Sequence, residues 1–133
     1  MRGAALLVLL AAAIAACSQT TSAPSGPVNA QVVLAPGETT DVSGAAIRLR
    51  FVGVMGDSRC PAGVLCIQGG DAIVQIDVLP ATGGQATYEL HTGNLQPVQH
   101  GSLTIALVDL SPYPFVSHPI AAGDYRATLK IMR

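Results

Sequence analysis

The chain is poor in the residues on which several protein classes depend. It has no tryptophan, only 4% aromatic residues and 11% charged residues, and its formal net charge is −1 at pH 7. Because a nearly neutral surface does not attract phosphate backbones, we expect no nucleic-acid partner. The longest uncharged apolar run, residues 3–16, is shorter than the roughly 20 residues of a membrane-spanning helix. After residue 16 no segment has a helical period of apolar residues, which argues against a helical architecture.

The first 16 residues have the composition of an export signal. Arg2 supplies the positive charge, residues 3–16 form the apolar segment, and a cysteine follows two small residues. The motif Ile14-Ala15-Ala16-Cys17 resembles the lipobox of bacterial lipoproteins, in which the cysteine is acylated and becomes the first mature residue. The resemblance implies a lipid anchor on Cys17. An ordinary cleavage site at Ala13-Ile14-Ala15, giving a secreted protein without lipid, is the alternative.

Composition divides the chain into three parts. Residues 1–16 are the predicted signal peptide, residues 17–29 the lipidated Cys17 and a flexible linker, and residues 30–133 a folded domain. The linker is rich in Ser, Thr, Pro and Gly and has no periodicity. In the lipoprotein class an Asp after the cysteine often marks inner-membrane retention, so Ser18 favours the outer membrane, facing the periplasm.

Alternation of apolar and polar residues predicts a chain made of strands. The pattern is clear at 46–54, where Ile47, Leu49 and Phe51 share one face, and at 125–131. About seven strands within a short domain predict a small antiparallel β-sandwich rather than a barrel. The predicted strands are residues 31–35, 39–42, 46–54, 72–78, 85–91, 103–110 and 125–131.

Cys60 and Cys66 are the two cysteines that remain if Cys17 is acylated. Outside the inner membrane the environment is oxidising, so we expect a Cys60–Cys66 disulfide. Redox motifs and zinc knuckles place two residues between their cysteines, whereas five lie here, which leaves a redox or metal pair as the weaker alternative.

The segment around these cysteines resembles a group of small bacterial exported proteins and lipoproteins. The shared features are Asp57-Ser58-Arg59-Cys60-Pro61, a second cysteine at 66, LSPYP at 110–114 and GDYRATL at 123–129. In that group a Trp and an Ala usually occupy the positions of Gln68 and Gly69. The resemblance implies one domain over most of residues 32–133 and implies no activity.

A second resemblance concerns residues 51–58, FVGVMGDS, which are similar to the strand and GDS motif of GDSL-type hydrolases. In that family Ser58 would be the nucleophile. The family also needs Asp-x-x-His near the C-terminus, but Phe115 stands three residues before His118, and the helices of an α/β fold are missing. We therefore predict no catalytic residues and no enzymatic activity. Asp57 is expected to form an Asx turn, with Arg59 packed or paired at the rim.

Three histidines, His91, His100 and His118, keep metal or small-ligand binding open as the alternative function. They lack the short spacing of a metal motif, so we predict no metal and no cofactor.

The proline-rich segment 110–119 carries Tyr113 and Phe115. Rigid aromatic side chains are effective interface anchors, although these two could instead cap the core. The resulting prediction is a membrane-anchored lipoprotein with a non-catalytic binding domain. Its candidate surface combines Asp57 and Arg59 with Tyr113 and Phe115, and the partners left open are another envelope protein, a cell-wall component or an external protein.

Overall fold

Along most strands apolar side chains alternate with polar ones, and this alternation places one face of each strand in a shared core. The structure, a computed structural model, describes residues 26–133. The strands are β1 (Asn29–Leu34), β2 (Thr39–Val42), β3 (Ile47–Asp57), β4 (Ala72–Pro80), β5 (Ala86–His91), β6 (Val98–His100), β7 (Leu103–Ser111) and β8 (Arg126–Met132). A short 3-10 helix, Ala122–Asp124, precedes β8. None of the described helices is long and apolar enough to cross a membrane.

The strands form two four-stranded antiparallel sheets. One has the order β1-β8-β7-β6 and the other the order β2-β3-β4-β5. The predicted β-sandwich is therefore confirmed, with eight strands instead of seven. The additional strand, β6, has only three residues, too few to show an alternating pattern.

Strand β3 is longer than its sequence pattern indicates. Register shifts between Phe51 and Gly53 and between Val54 and Gly56 interrupt the alternation, yet pairing with β4 continues to Asp57. Bulges of this kind add residues to one strand of a pair without ending the ladder. As a result Asp57 belongs to the sheet rather than to the following loop.

The core lies between the sheets and contains the apolar faces that the alternation predicted. Leu49 and Phe51 of β3 are completely buried, as are Leu129 and Ile131 of β8. The other large, fully buried side chains are Leu34, Ile76, Leu90, Ile105, Val74 and Val78. Every core residue that the structure describes lies between Val28 and Ile131, so residues 18–133 contain the complete described core.

The two ends of the sandwich differ. At the proximal end the described chain begins: Asn29 pairs with Met132, and the Arg133 amide donates to the Val28 carbonyl at 3.0 Å. At the distal end β3 and β7 finish and β8 starts, because Ser111 pairs with Arg126. The segments between β3 and β4 and between β7 and β8 both lie at this distal end.

Candidate functional site

An ion pair between Asp57 and Arg59 occupies the distal end. The Arg59 Nε donates to Asp57 Oδ1 at 2.9 Å and its Nη2 donates to Oδ2 at 2.7 Å, which is the bidentate geometry of a strong pair. The Arg59 amide also donates to Oδ1 at 3.1 Å, so Asp57 forms the Asx turn expected from the sequence. The side chains of Arg59 and Asp57 are only 7% and 12% exposed.

The same guanidinium connects the two sheets. Its Nη1 donates to the carbonyl of Leu110 in β7 at 2.7 Å, and its Nη2 donates to the carbonyl of Pro112 at 3.0 Å. The Tyr125 hydroxyl, next to the start of β8, donates to Asp57 Oδ2 at 3.0 Å. We call Asp57, Arg59 and Tyr125 the distal cluster. It joins the end of β3 in one sheet to β7 and β8 in the other.

These contacts shift the pKa values of all three groups. The hydrogen bond from the Arg59 side chain lowers the pKa of Asp57, and this effect outweighs the opposing effect of burial. The same bond raises the pKa of Arg59. Burial, followed by the hydrogen bond to the Asp57 carboxylate, raises the pKa of Tyr125. The cluster is therefore an ionised pair with a neutral phenol across the neutral pH range.

The sequence placed Asp57 and Arg59 on a contact surface, whereas the structure places their side chains largely beneath it. Four donated hydrogen bonds direct the Arg59 guanidinium inward, toward Asp57 and β7. Its outer contact is with the Tyr113 ring, whose centroid is 5.5 Å from the guanidinium carbon. Both residues thus support the surface from below.

The disulfide loop, residues 60–70, follows the ion pair. Cys60 and Cys66 form a disulfide, which confirms the predicted pairing. Leu65 and Ile67 are each 104% exposed, as accessible as in an extended peptide, and Val64 is also exposed. Three large aliphatic side chains therefore project from a short stapled loop.

The start of β4 closes this loop through a close backbone approach. The Ser58 amide donates to the Asp71 carbonyl at 2.7 Å. A Cβ atom on Gly70 would lie 1.4 Å from the Ser58 carbonyl oxygen, so glycine is required at this position.

The proline loop, residues 112–119, lies beside the disulfide loop. It begins with a cis peptide bond between Ser111 and Pro112. Tyr113 and Phe115 are 53% and 55% exposed, so neither is a buried cap of the core, and Val116 is exposed as well. The two aromatic side chains thus lie where contact with a partner is possible.

A backbone contact joins the two loops. The Ala62 amide donates to the Pro114 carbonyl at 2.9 Å, and Ala62 forms a parallel bridge with Phe115. The exposed apolar side chains of the two loops form what we call the apolar patch, whose members are Val64, Leu65, Ile67, Tyr113, Phe115 and Val116. Residues 60–70 and 110–123 contain no Asp, Glu, Lys or Arg. No Asp, Glu, Lys or Arg therefore lies within the patch.

Sequence reasoning selected the two aromatic members of the patch and missed its aliphatic members. The available signal was the sequence Val64-Leu65 and Ile67 within a segment rich in Pro and Gly. Such a segment predicts a surface loop, where apolar side chains stay exposed because no core lies beneath them.

Beside the patch is a depression of about 190 Å³, smaller than the 300–1,000 Å³ typical of small-molecule sites.

A second polar cluster lies near Ser58. His91 Nδ1 and Asp71 Oδ2 are 2.5 Å apart, and Asp71 Oδ1 accepts the Gly93 amide at 2.8 Å. Partial burial opposes ionisation of Asp71, but the bonds from His91, Gly93 and Thr92 together lower its pKa. The Ser58 hydroxyl donates to the Asp71 carbonyl at 2.9 Å and accepts the Asp71 amide at 3.1 Å. It is thus hydrogen-bonded to the main chain on both sides.

The other histidines lie apart from this cluster. His100 ends β6, where its Nδ1 is 2.9 Å from the Tyr88 hydroxyl, and His118 Nδ1 is 2.8 Å from the Ser117 hydroxyl. Within residues 26–133 no three His, Cys, Asp or Glu side chains come together in a group that could hold a metal ion. The predicted lipidation site, Cys17, lies outside the described residues.

Comparison with known protein families, curated proteins and solved structures gave no significant match to the chain. The site is therefore interpreted from its own geometry.

Proposed function

We propose that this chain is an outer-membrane lipoprotein, anchored by acylation of Cys17 and facing the periplasm, whose β-sandwich binds a partner without catalysing a reaction. The observation that carries the binding function is the apolar patch on two joined loops at the distal end. Soluble monomers seldom expose a contiguous apolar patch above about 300–600 Å² unless it is functional. All six patch side chains are at least 44% exposed, and Leu65 and Ile67 are fully exposed.

The construction of the distal end supports a binding role. The disulfide staples one loop, the distal cluster fixes the start of the other, and the Ala62–Pro114 hydrogen bond joins the two. Side chains that are held in place before binding lose less conformational entropy on contact, which increases affinity.

The anchoring part of the proposal rests on the lipobox-like motif and on the position of the described N-terminus. Residue 26 lies at the proximal end, so a tether would enter the domain opposite the apolar patch. A single acyl chain gives marginal membrane binding, and two or more give stable anchoring. Replacing Cys17 by Ser should release the protein from the membrane fraction, and unchanged membrane retention would contradict acylation.

The binding part is tested with residues 18–133 immobilised and exposed to solubilised envelope extract. Tyr113→Ala and Phe115→Ala should each reduce retention of the bound component while the domain remains folded. Val33→Ala is the matched control, because Val33 is an exposed apolar residue of β1 outside both loops. If all three variants retain the same components as the unaltered domain, the patch is not the binding surface.

A further inference from the structure

We infer that the apolar patch binds the surface of a lipid bilayer, with Leu65, Ile67 and Val116 entering the region where headgroups meet acyl chains. This inference rests on the proposed function, because it takes the patch as the working surface and names its partner. Three observations favour a bilayer over a protein: the composition of the patch, its charge and its shape.

The composition is mostly aliphatic. Four of the six patch residues are Val, Leu or Ile: Val64, Leu65, Ile67 and Val116. Energetically important residues of protein interfaces are enriched in Trp, Tyr and Arg, whereas Leu and Val are under-represented among them. Aliphatic side chains need no hydrogen-bonding partner, and hydrocarbon provides none. Tyr113 and Phe115 add aromatic rings, and Tyr is among the residues enriched at the membrane–water interface.

The charge distribution also fits lipid. Both loops lack Asp, Glu, Lys and Arg, and Arg59, just before the disulfide loop, is turned inward and paired with Asp57. Moving an unpaired charge into an apolar medium is costly, so an inserting surface must be free of charge. Both signs of charge flank the loops, with Asp71 and Asp124 on one side of the balance and the exposed Arg126 on the other, so the loops present no basic cluster to anionic headgroups. Binding should therefore depend on apolar contact and not on salt.

The shape of the patch is convex. Leu65 and Ile67 project fully from the stapled loop, and a deformable bilayer accepts projecting side chains without a matching groove. Amphipathic surfaces bury their apolar groups only about 5–10 Å into the interface, a depth that short loops can reach.

The chain outside the described core is long enough to allow this contact on the anchoring membrane. Strand β3, which runs the length of the sandwich, has 11 residues and spans about 36 Å. Residues 18–28, fully extended, reach about 36 Å as well. A domain anchored at Cys17 can therefore tilt its distal end onto the same bilayer with the linker extended alongside it. Because the anchor keeps the domain near the surface, it would strengthen an insertion that is already measurable without lipid.

The test uses residues 18–133 without lipid, which contain the complete described core, in vesicle flotation. Phosphatidylcholine vesicles are compared with vesicles enriched in phosphatidylglycerol, each at low and high salt. We expect the domain to float with both vesicle types and at both salt concentrations. Leu65→Ser combined with Ile67→Ser should weaken the apparent affinity at least about 10-fold, since each side chain loses a favourable apolar transfer.

Val33→Ser is the matched control and should float like the unaltered domain. Because Leu65 and Ile67 are fully exposed, the double variant should keep the circular dichroism spectrum and urea midpoint of the unaltered domain. Absence of flotation by the unaltered domain, or flotation confined to anionic vesicles at low salt, would overturn the inference.

Two further outcomes separate this inference from the proposed function. Patch-dependent retention of envelope proteins without vesicle binding would overturn the bilayer as partner and leave the binding function standing. A concentration-dependent dimer, seen by light scattering and lost in the double variant, would show that a second copy covers the patch. If neither vesicles nor envelope components bind, both proposals fail.

Discussion

Replacing Arg59 by Met is the sharpest perturbation of the distal end. Methionine keeps much of the apolar stem of arginine but removes all of its hydrogen-bond donors. The Asp57 carboxylate would lose the two hydrogen bonds from the Arg59 side chain and keep those from the Tyr125 hydroxyl and the amide of residue 59. The carbonyls of Leu110 and Pro112 would each lose a donor.

The expected loss is large for a single substitution. Removing one partner of a buried ion pair costs about 3–5 kcal/mol, and an unsatisfied buried carbonyl costs about 1–3 kcal/mol. These contributions overlap, and Asp57 retains two donors, so we expect a decrease of about 3 kcal/mol in the free energy of unfolding. In a domain of this size that corresponds to a fall in Tm on the order of 15 °C. Arg59→Lys should recover little, because an ammonium group cannot form the bidentate pair.

Urea unfolding of residues 18–133, followed by circular dichroism, measures this loss directly. Arg50→Met is the control: Arg50 is an exposed arginine of β3, the strand that ends two residues before Arg59, and its replacement should change stability by less than about 0.5 kcal/mol. A double-mutant cycle with Asp57→Asn should give a coupling energy above about 1 kcal/mol. If Arg59→Met costs no more than Arg50→Met, the distal cluster does not hold the two sheets together.

Three other changes test neighbouring features of the distal end. The folded-state pKa of Asp57 lies below its unfolded value of about 3.9, so the stability from its ion pair is complete above about pH 4 and is lost as the pH falls through the folded-state pKa. Asp57→Asn should therefore remove part of the acid-induced decrease in the urea midpoint, and an unchanged pH profile would contradict this. Replacing Cys60 and Cys66 together by Ser should cost about 2 kcal/mol, measured by urea unfolding, because the ring that the disulfide closes is short; a loss near zero would mean that the loop is ordered without the bond. Gly70→Ala should lower Tm strongly, since its Cβ would overlap the Ser58 carbonyl oxygen; a Tm equal to that of the unaltered domain would show that the backbone shifts freely there.

The sheets could be predicted because their signals are local. Alternation in 46–54 placed Ile47, Leu49 and Phe51 on one face, which is the buried one, and the strands predicted at 72–78 and 125–131 are present as β4 and β8. The signal failed where local pattern and pairing disagree. Bulges shift the register within β3, and the three residues of β6 form a strand by pairing with β7. The end of β3 and the existence of β6 therefore depend on neighbouring strands, which the local sequence pattern does not reveal.

Sequence reasoning found the parts of the candidate site but could not derive their arrangement. The disulfide followed from the number and spacing of cysteines, and the Asx turn from the type of residue at position 57. Arg59 is different, because its carbonyl partners, Leu110 and Pro112, lie 51 and 53 residues away in the other sheet. No local pattern indicates that an arginine in a loop segment will be buried, since arginine is usually exposed.

The position of Arg59 explains why apolar side chains gather at the distal end. Its ion pair with Asp57 and its bonds to β7 satisfy the polar groups where the two sheets close, so the loops above need no charged residues of their own. The disulfide and the Ala62–Pro114 bond then hold those loops in place without a core beneath them. Leu65 and Ile67 are thus exposed because the polar and covalent contacts that fix their loop leave their side chains free, which suits a surface built for contact.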